Sequence, residues 1–149
     1  MPIRRAALPD VPQLLSLVRR YWEFEGLTHF DALRTEVVLE GLIGQESRGA
    51  VWVADEGGRL AGYLILVFVV SVEHGGLMAE IDELYVCEPD RGRGTGGRLL
   101  GACEEELRRR GCVRLQLQIA LSNEAARAFY NRRGFAARAG YTLLDKPLA

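Results

Sequence analysis

Residues 80–110 set the tightest limit on what this chain can fold into. A weakly alternating segment, EIDELYV at 80–86, runs into the turn sequence Glu88-Pro89-Asp90, then into RGRGTGG at 91–97, and then into a charged amphipathic run. Strand, glycine-rich loop and helix in direct succession require both element types in one domain, which excludes all-helical and all-strand folds. Four glycines in seven positions leave the backbone bare. Glycine is kept where φ must be positive or where something has to come close to the main chain. The loop therefore asks what approaches it.

The flanking segments fill in the architecture. Beyond the loop, Leu99, Leu100, Cys103 and Leu107 form one apolar stripe, Glu104 to Glu106 and Arg108 to Arg110 face water, and Gly111 is placed to close the helix. GAVWVADE and LAGYLILVFVV flank Gly57-Gly58 as a hairpin, SVEHGG reads as a turn, and VRLQLQIA at 113–120 alternates as a strand with one buried face. Upstream, IRRAA at 3–7 reads as a short strand, and Pro9-Asp10 marks a helix start with Asp10 as its cap. Leu14, Leu15, Val18, Tyr21 and Trp22 then recur at helical spacing as far as Gly26, and a second helix is expected from about Thr35 to Ile43. Ser122-Asn123 opens a short helix, EAARAFYNRR, stopped by Gly134, and GYTLLDKPL reads as a final strand. The predicted order is β-α-α-β-β-β-α-β-α-β, an α/β chain with a mixed sheet, expected as a single domain over residues 1–149.

Composition narrows the function. An apolar fraction of 48% with 26% charged residues is that of an ordinary globular protein. The N-terminal MPIRRAALPD has no apolar stretch of signal-peptide type, and the longest apolar run covers about half a membrane span, so a cytoplasmic location without a membrane partner is expected. No nucleic-acid partner is expected either. Cys87, Cys103 and Cys112 form no CxxC pair, and with His29 and His74 they yield no zinc spacing, so structural thiols and no metal are predicted. The net charge of −1 hides a division: residues 60–90 hold no Lys or Arg but six acids, whereas residues 91–138 hold eleven Arg against four Glu. One half suits an anion and the other a cation.

A strand, glycine loop and helix turn backbone N–H groups and a helix N-terminus toward one point, which favours phosphate. Gly92, Gly94 and Gly97 fit G-x-G-x-x-G formally, but no acid ends the next strand and only about 50 residues remain, too few for a dinucleotide fold. Lys146 is the only lysine, so no Walker A loop exists. A pyrophosphate on main-chain amides survives. Arg91, Gly94 and Gly96 fill the fixed positions of [QR]-x-x-G-x-[GA], the acetyl-coenzyme A loop of the GNAT superfamily of N-acetyltransferases, which the chain resembles. ELYVCEPDRGRGTGGRLL is similar to that family's fourth strand, turn and central helix, and SNEAARAFYNRRGF to its later asparagine and aromatic helix.

The resemblance implies the GNAT fold and an acetyl-coenzyme A co-substrate held by Leu84, Tyr85 and Val86 beside the pantetheine arm. It implies Arg91, Gly92, Arg93, Gly94, Thr95, Gly96 and Gly97 around the phosphates, Arg132 or Arg133 as a further anion partner, and Asn123 and Tyr130 from the later helix. Tyr130 matches the tyrosine that protonates the departing thiolate. The family's polyamine and thialysine acetyltransferases resemble the paired acids: Asp82 takes the usual place of the base, with Glu83 binding substrate or supporting the strand, and the exchanged roles stay open. Adjacent strand residues point to opposite faces, so the two acids are expected to do different work. An oxyanion donor is expected from the backbone near Val86, with direct attack in a ternary complex rather than acylation of Cys87. Trp22 and Glu25, with Phe24, Phe30, Glu23 and Asp31, are expected to frame a pocket for a small amine such as a polyamine, thialysine or a lysine-like amine. A peptide or protein acceptor, an aminoglycoside, and a non-catalytic acyl-coenzyme A-binding module remain alternatives, and the family implies a possible homodimer.

Overall fold

The computed structural model describes residues 1–149, which form two compact units, Met1–Leu117 and Gln118–Ala149. The first contains β1 (Ile3–Arg5), α1 (Val11–Glu25), α2 (Ala32–Gly44), β2 (Gly49–Glu56), β3 (Arg59–Ser71), β4 (Gly76–Val86), α3 (Thr95–Arg109) and β5 (Arg114–Leu117); the second contains α4 (Glu124–Asn131). Five strands pair in sequence order, antiparallel except for the parallel β4–β5 pair. A mixed sheet of that kind, with helices, is the predicted α/β class.

Two apolar layers hold this sheet. Leu14, Leu17 and Val18 of α1 and Leu39 and Leu42 of α2 cluster with Val51, Val53, Tyr63, Ile65 and Tyr85 of the strands. Leu99, Leu100, Cys103 and Leu107 of α3, all at most 4% exposed, form the predicted stripe, and α3 packs on β1 to β4. Helix ends follow from backbone chemistry. Gly111, at φ 74°, donates to Arg108 O while Cys112 donates to Leu107 O, the paired closure that a left-handed glycine permits. Asp31 caps α2 by accepting from the Arg34 amide, so that helix starts earlier than the spacing of its apolar residues predicts.

Four further expectations change. Asp10 does not cap α1: its carboxylate takes both outer nitrogens of Arg4, at 2.8 and 2.9 Å, and the Ala7 amide at 2.8 Å, so the contacts it has won hold it well below the usual carboxylate range. β4 starts at Gly76, inside the segment read as a turn, because residues 76–80 pair with β3. β5 is only Arg114–Leu117, shorter than the alternating segment VRLQLQIA. The final strand is absent: residues 140–149 form no ladder and Tyr141, Leu143, Leu144 and Leu148 are exposed, since strand propensity supplies no partner edge by itself.

Candidate active site

The β3–β4 ladder contains one irregularity. Ile65 faces Glu83 and Leu66 faces Ile81, which leaves Asp82 as an extra residue with no partner, a β-bulge. The bulge shifts the phase of alternation along β4. Glu83 lies by register on the face of Ile65, Tyr63 and Tyr85, and Ile81 on the face of Leu66, so the two acids do not divide by simple alternation. Asp82 is exposed at the break; Glu83 is half-buried.

Glu83 is held from two elements. The Tyr63 hydroxyl of β3 donates to Oε1 at 2.9 Å, and the indole N–H of Trp22, from α1, donates to Oε2 at 3.2 Å. Burial pushes the Glu83 carboxyl up to about 7, with the charge of Asp82 adding to the rise and the two hydrogen bonds opposing it. Asp82 is also raised, first by desolvation and then by Glu80. A carboxyl balanced near neutrality can both take and return a proton.

Aromatic rings pack against the two donors of Glu83. Tyr85 meets Tyr63 at 6.0 Å and Tyr21 edge-on at 6.2 Å, and Trp22 meets Phe30 edge-on at 5.7 Å. Glu25 is half-buried in the last turn of α1, where Gly26 at φ 70° ends the helix. The α1 face that carries Trp22 is thus fixed by packing on the sheet. The outer side of α1 is different: Leu15, Ser16, Arg19, Arg20, Glu23, Phe30 and Ala32 line an open cleft of about 350 Å³ that does not include Glu83.

The glycine loop follows directly. Gly92 and Gly94 have φ of 75° and 79°, and Gly94 is the residue before α3. No side chain caps that helix, and nothing stands within 4 Å of where a Cβ on either glycine would lie. The first backbone N–H groups of α3, from Thr95, Gly96 and Gly97, have no partner within the helix by its geometry. An uncapped helix start preceded by an open, left-handed loop fits an anion such as the pyrophosphate of coenzyme A. The loop is anchored behind: Asp90, 2% exposed, takes two hydrogen bonds of 3.0 Å from Arg59, and Thr95 is buried.

Arg91 turns back from the loop. Its Nε donates to Val86 O at 2.9 Å, and its guanidinium lies 4.8 Å from the Phe24 ring and 5.5 Å from Tyr85. Leu84, Tyr85 and Val86 form the last turnless stretch of β4, opposite Leu64, Tyr63 and Gly62. Gly62 is required there, since a Cβ would stand 2.6 Å from Tyr85 O. Arg93 is exposed beside the open loop.

In the second unit, Asn123 caps α4 by accepting from the Ala126 amide at 3.0 Å. Tyr130 is 8% exposed and packs edge-on against Phe129 at 5.0 Å and Phe135 at 5.3 Å. Arg133 lies over Phe129 at 3.8 Å.

The sequence reading missed Tyr63 and the involvement of Phe24 with Arg91. For Tyr63 a signal existed: it is the one hydroxyl in the run LAGYLILVFVV, and a buried phenol needs a hydrogen-bond partner.

A mixed sheet carrying an uncapped glycine loop beside a hydrogen-bonded strand carboxyl fits an enzyme that takes its group from an anionic donor. Its sequence matches the acetyltransferase (GNAT) family over residues 11–135. The chain belongs to that family and is an N-acetyltransferase of GNAT type. It is 27% identical over 141 residues to the uncharacterized N-acetyltransferase YhfO of Bacillus subtilis, covering 95% of this chain and 93% of that one. It is 24% identical over 140 residues to the thialysine N-epsilon-acetyltransferase of Mus musculus, covering 89% and 82%. An integron cassette protein from a salt-marsh metagenome, 27% identical, superposes with a TM-score of 0.86 over 99% of this chain and 90% of its own.

Proposed function

We propose that the chain transfers an acetyl group from acetyl-coenzyme A to the primary amine of a small cationic acceptor, with Glu83 as the general base and Asp82 as the counter-ion for a second positive charge on the acceptor. The observation that carries this reading is the pair at the bulge: adjacent carboxyls, one half-buried and hydrogen-bonded with its ionisation near 7, the other exposed. Two neighbouring acids, one hydrogen-bonded from two elements and the other at the bulge without such bonds, suit different tasks. The stretch without Lys or Arg from Leu60 to Asp90 supports a cationic acceptor, as does the likeness to an enzyme named for thialysine.

Acetyl transfer forms a C–N bond and breaks the thioester C–S bond; the acceptor ammonium loses one proton to become the attacking amine and a second as the amide forms, while the departing sulfur gains one, so one proton is released overall. Amines of lysine type are mostly protonated at neutral pH, so Glu83 must collect the first of these protons directly or through water. Tyr130, which matches the family's tyrosine, is assigned the return of a proton to sulfur. Arg91, Arg93 and the N–H groups of Gly92 to Gly97 are assigned to the phosphates, the backbone of Leu84, Tyr85 and Val86 to the pantetheine arm, and Asn123 to the same donor. Trp22 and Glu25 are assigned to the acceptor side. The remaining contribution is holding both reactants in line.

Thiol release from acetyl-coenzyme A, measured against spermidine, thialysine, lysine, aminoglycosides and peptides, tests the proposal. Turnover is expected with at least one small diamine or lysine-like amine. Turnover confined to peptides or aminoglycosides would reassign the acceptor, and coenzyme A binding without any turnover would leave a binding module.

A further inference from the structure

Tyr63 lies in the middle of β3, fully buried at 0% exposure, within a strand whose neighbours are all apolar. A phenylalanine would pack the same space without a polar atom to satisfy. The hydroxyl reaches one group, Oε1 of Glu83, and Trp22 reaches the other oxygen from α1. The two donors come from different elements and grip opposite oxygens, so the carboxylate cannot rotate without breaking one of them. Each oxygen accepts one of these bonds and keeps capacity for another, which leaves room for an acceptor proton or a relaying water. The donors are themselves braced, Tyr63 against Tyr85 and Trp22 against Phe30.

Resting on the reading of Glu83 as base, we infer that Tyr63 is a positioning residue that, together with the Trp22 indole, clamps the Glu83 carboxylate in one orientation for proton abstraction. The clamp also opposes burial. The groups that act on Glu83 are Asp82 on β4, Tyr63 on β3 and Trp22 on α1, while Tyr85 on β4 and Tyr21 on α1 act on Tyr63; Asp82 raises the Glu83 ionisation, and the Tyr63 and Trp22 bonds lower it. Loss of the Tyr63 hydroxyl therefore moves Glu83 upward.

The test uses Tyr63→Phe in the full chain, with two readouts. The first is a carbon-13 NMR titration of glutamate side-chain carboxyls without substrate, in which Glu83→Gln identifies the Glu83 signal. The second is the pH profile of kcat/KM. Tyr63→Phe is expected to raise the Glu83 midpoint and the acidic limb of the profile together by about one pH unit, the scale of one hydrogen bond to a charged group. The loss in kcat/KM should approach about tenfold below the limb and shrink above the displaced limb. Trp22→Phe should move the same midpoint in the same direction, and it carries the test should Tyr63→Phe fail to fold. A folded Tyr63→Phe protein with an unmoved midpoint and a uniform rate loss at all pH values would reduce Tyr63 to packing and overturn the inference. A midpoint that moves while the rate profile stays fixed would retain the Tyr63–Glu83 contact but overturn Glu83 as the base, and with it the role inferred for Tyr63.

Discussion

Glu83→Gln separates the chemistry of this carboxyl from its packing, because the amide keeps the shape and loses the titration. The folded-state ionisation near 7 stands above the ordinary 4.5, so folding favours the protonated acid. The contribution is fully present below the unfolded value and is lost as pH rises through the folded one. With those two values, one such group makes the native state about 2 kcal/mol less stable at about pH 8 than at about pH 5.5. Urea unfolding of both chains at the two pH values measures this, since titrations common to both cancel in the difference. The wild-type chain should lose about 2 kcal/mol more than Glu83→Gln over the interval. The glutamine has one acceptor for two donors: its oxygen takes either the Tyr63 hydroxyl or the Trp22 N–H, and the other donor loses its partner, which adds a cost of about 1 to 3 kcal/mol that does not vary with pH. In turnover, the variant should lose about 10²- to 10⁴-fold in kcat, together with the acidic limb near neutrality. Parallel stability curves for the two chains, separated by a constant, would refute the elevated ionisation on which the base assignment stands.

Three further substitutions probe separate parts. Tyr130→Phe should lower kcat while the calorimetric affinity for acetyl-coenzyme A stays within about twofold, since a proton donor acts in the transition state; equal losses in both would make it a binding residue. Arg91→Ala should weaken coenzyme A binding about tenfold, the scale of one charged phosphate contact, with kcat at saturation largely kept; an unchanged Kd would leave Arg91 a local brace on Val86 and Phe24. Gly62→Ala should lower stability by about 1 to 3 kcal/mol in thermal unfolding, because its Cβ would stand 2.6 Å from the Tyr85 carbonyl oxygen and β3 would have to move off β4.

What was legible in the sequence is what period and punctuation encode. The α3 stripe, the hairpin about Gly57-Gly58 and the helix stop at Gly111 depend on neighbours in the chain, and all three stand as read. Asp10 was misread because a cap and a salt-bridge acceptor look alike until Arg4 is brought beside it. The terminal strand failed because β propensity reports fitness for a ladder and not the existence of a partner. The bulge at Asp82 could not be read for the same reason: it is a property of how β4 pairs with β3, and no residue type announces it.

The bulge also makes the division of labour between the two acids testable. Strict alternation would put Asp82 opposite Leu66 and send its carboxylate into the layer beneath α3; the extra residue instead leaves Asp82 unpaired and exposed while Glu83 stays on the side of α1. Asp82→Asn then makes two predictions of different kind. Removing a charge that raises Glu83 should lower the Glu83 midpoint and move the acidic limb of kcat/KM to lower pH. Removing a counter-ion should raise KM for a diamine by about two- to fivefold, the scale of one exposed ion pair, while a monoamine of equal length changes little. Were Asp82 the base instead, its loss would cut kcat for monoamine and diamine alike and abolish the limb rather than displace it. A KM that rises equally for both acceptors, with the limb unmoved, would assign Asp82 neither role and leave the bulge as a feature of strand geometry alone.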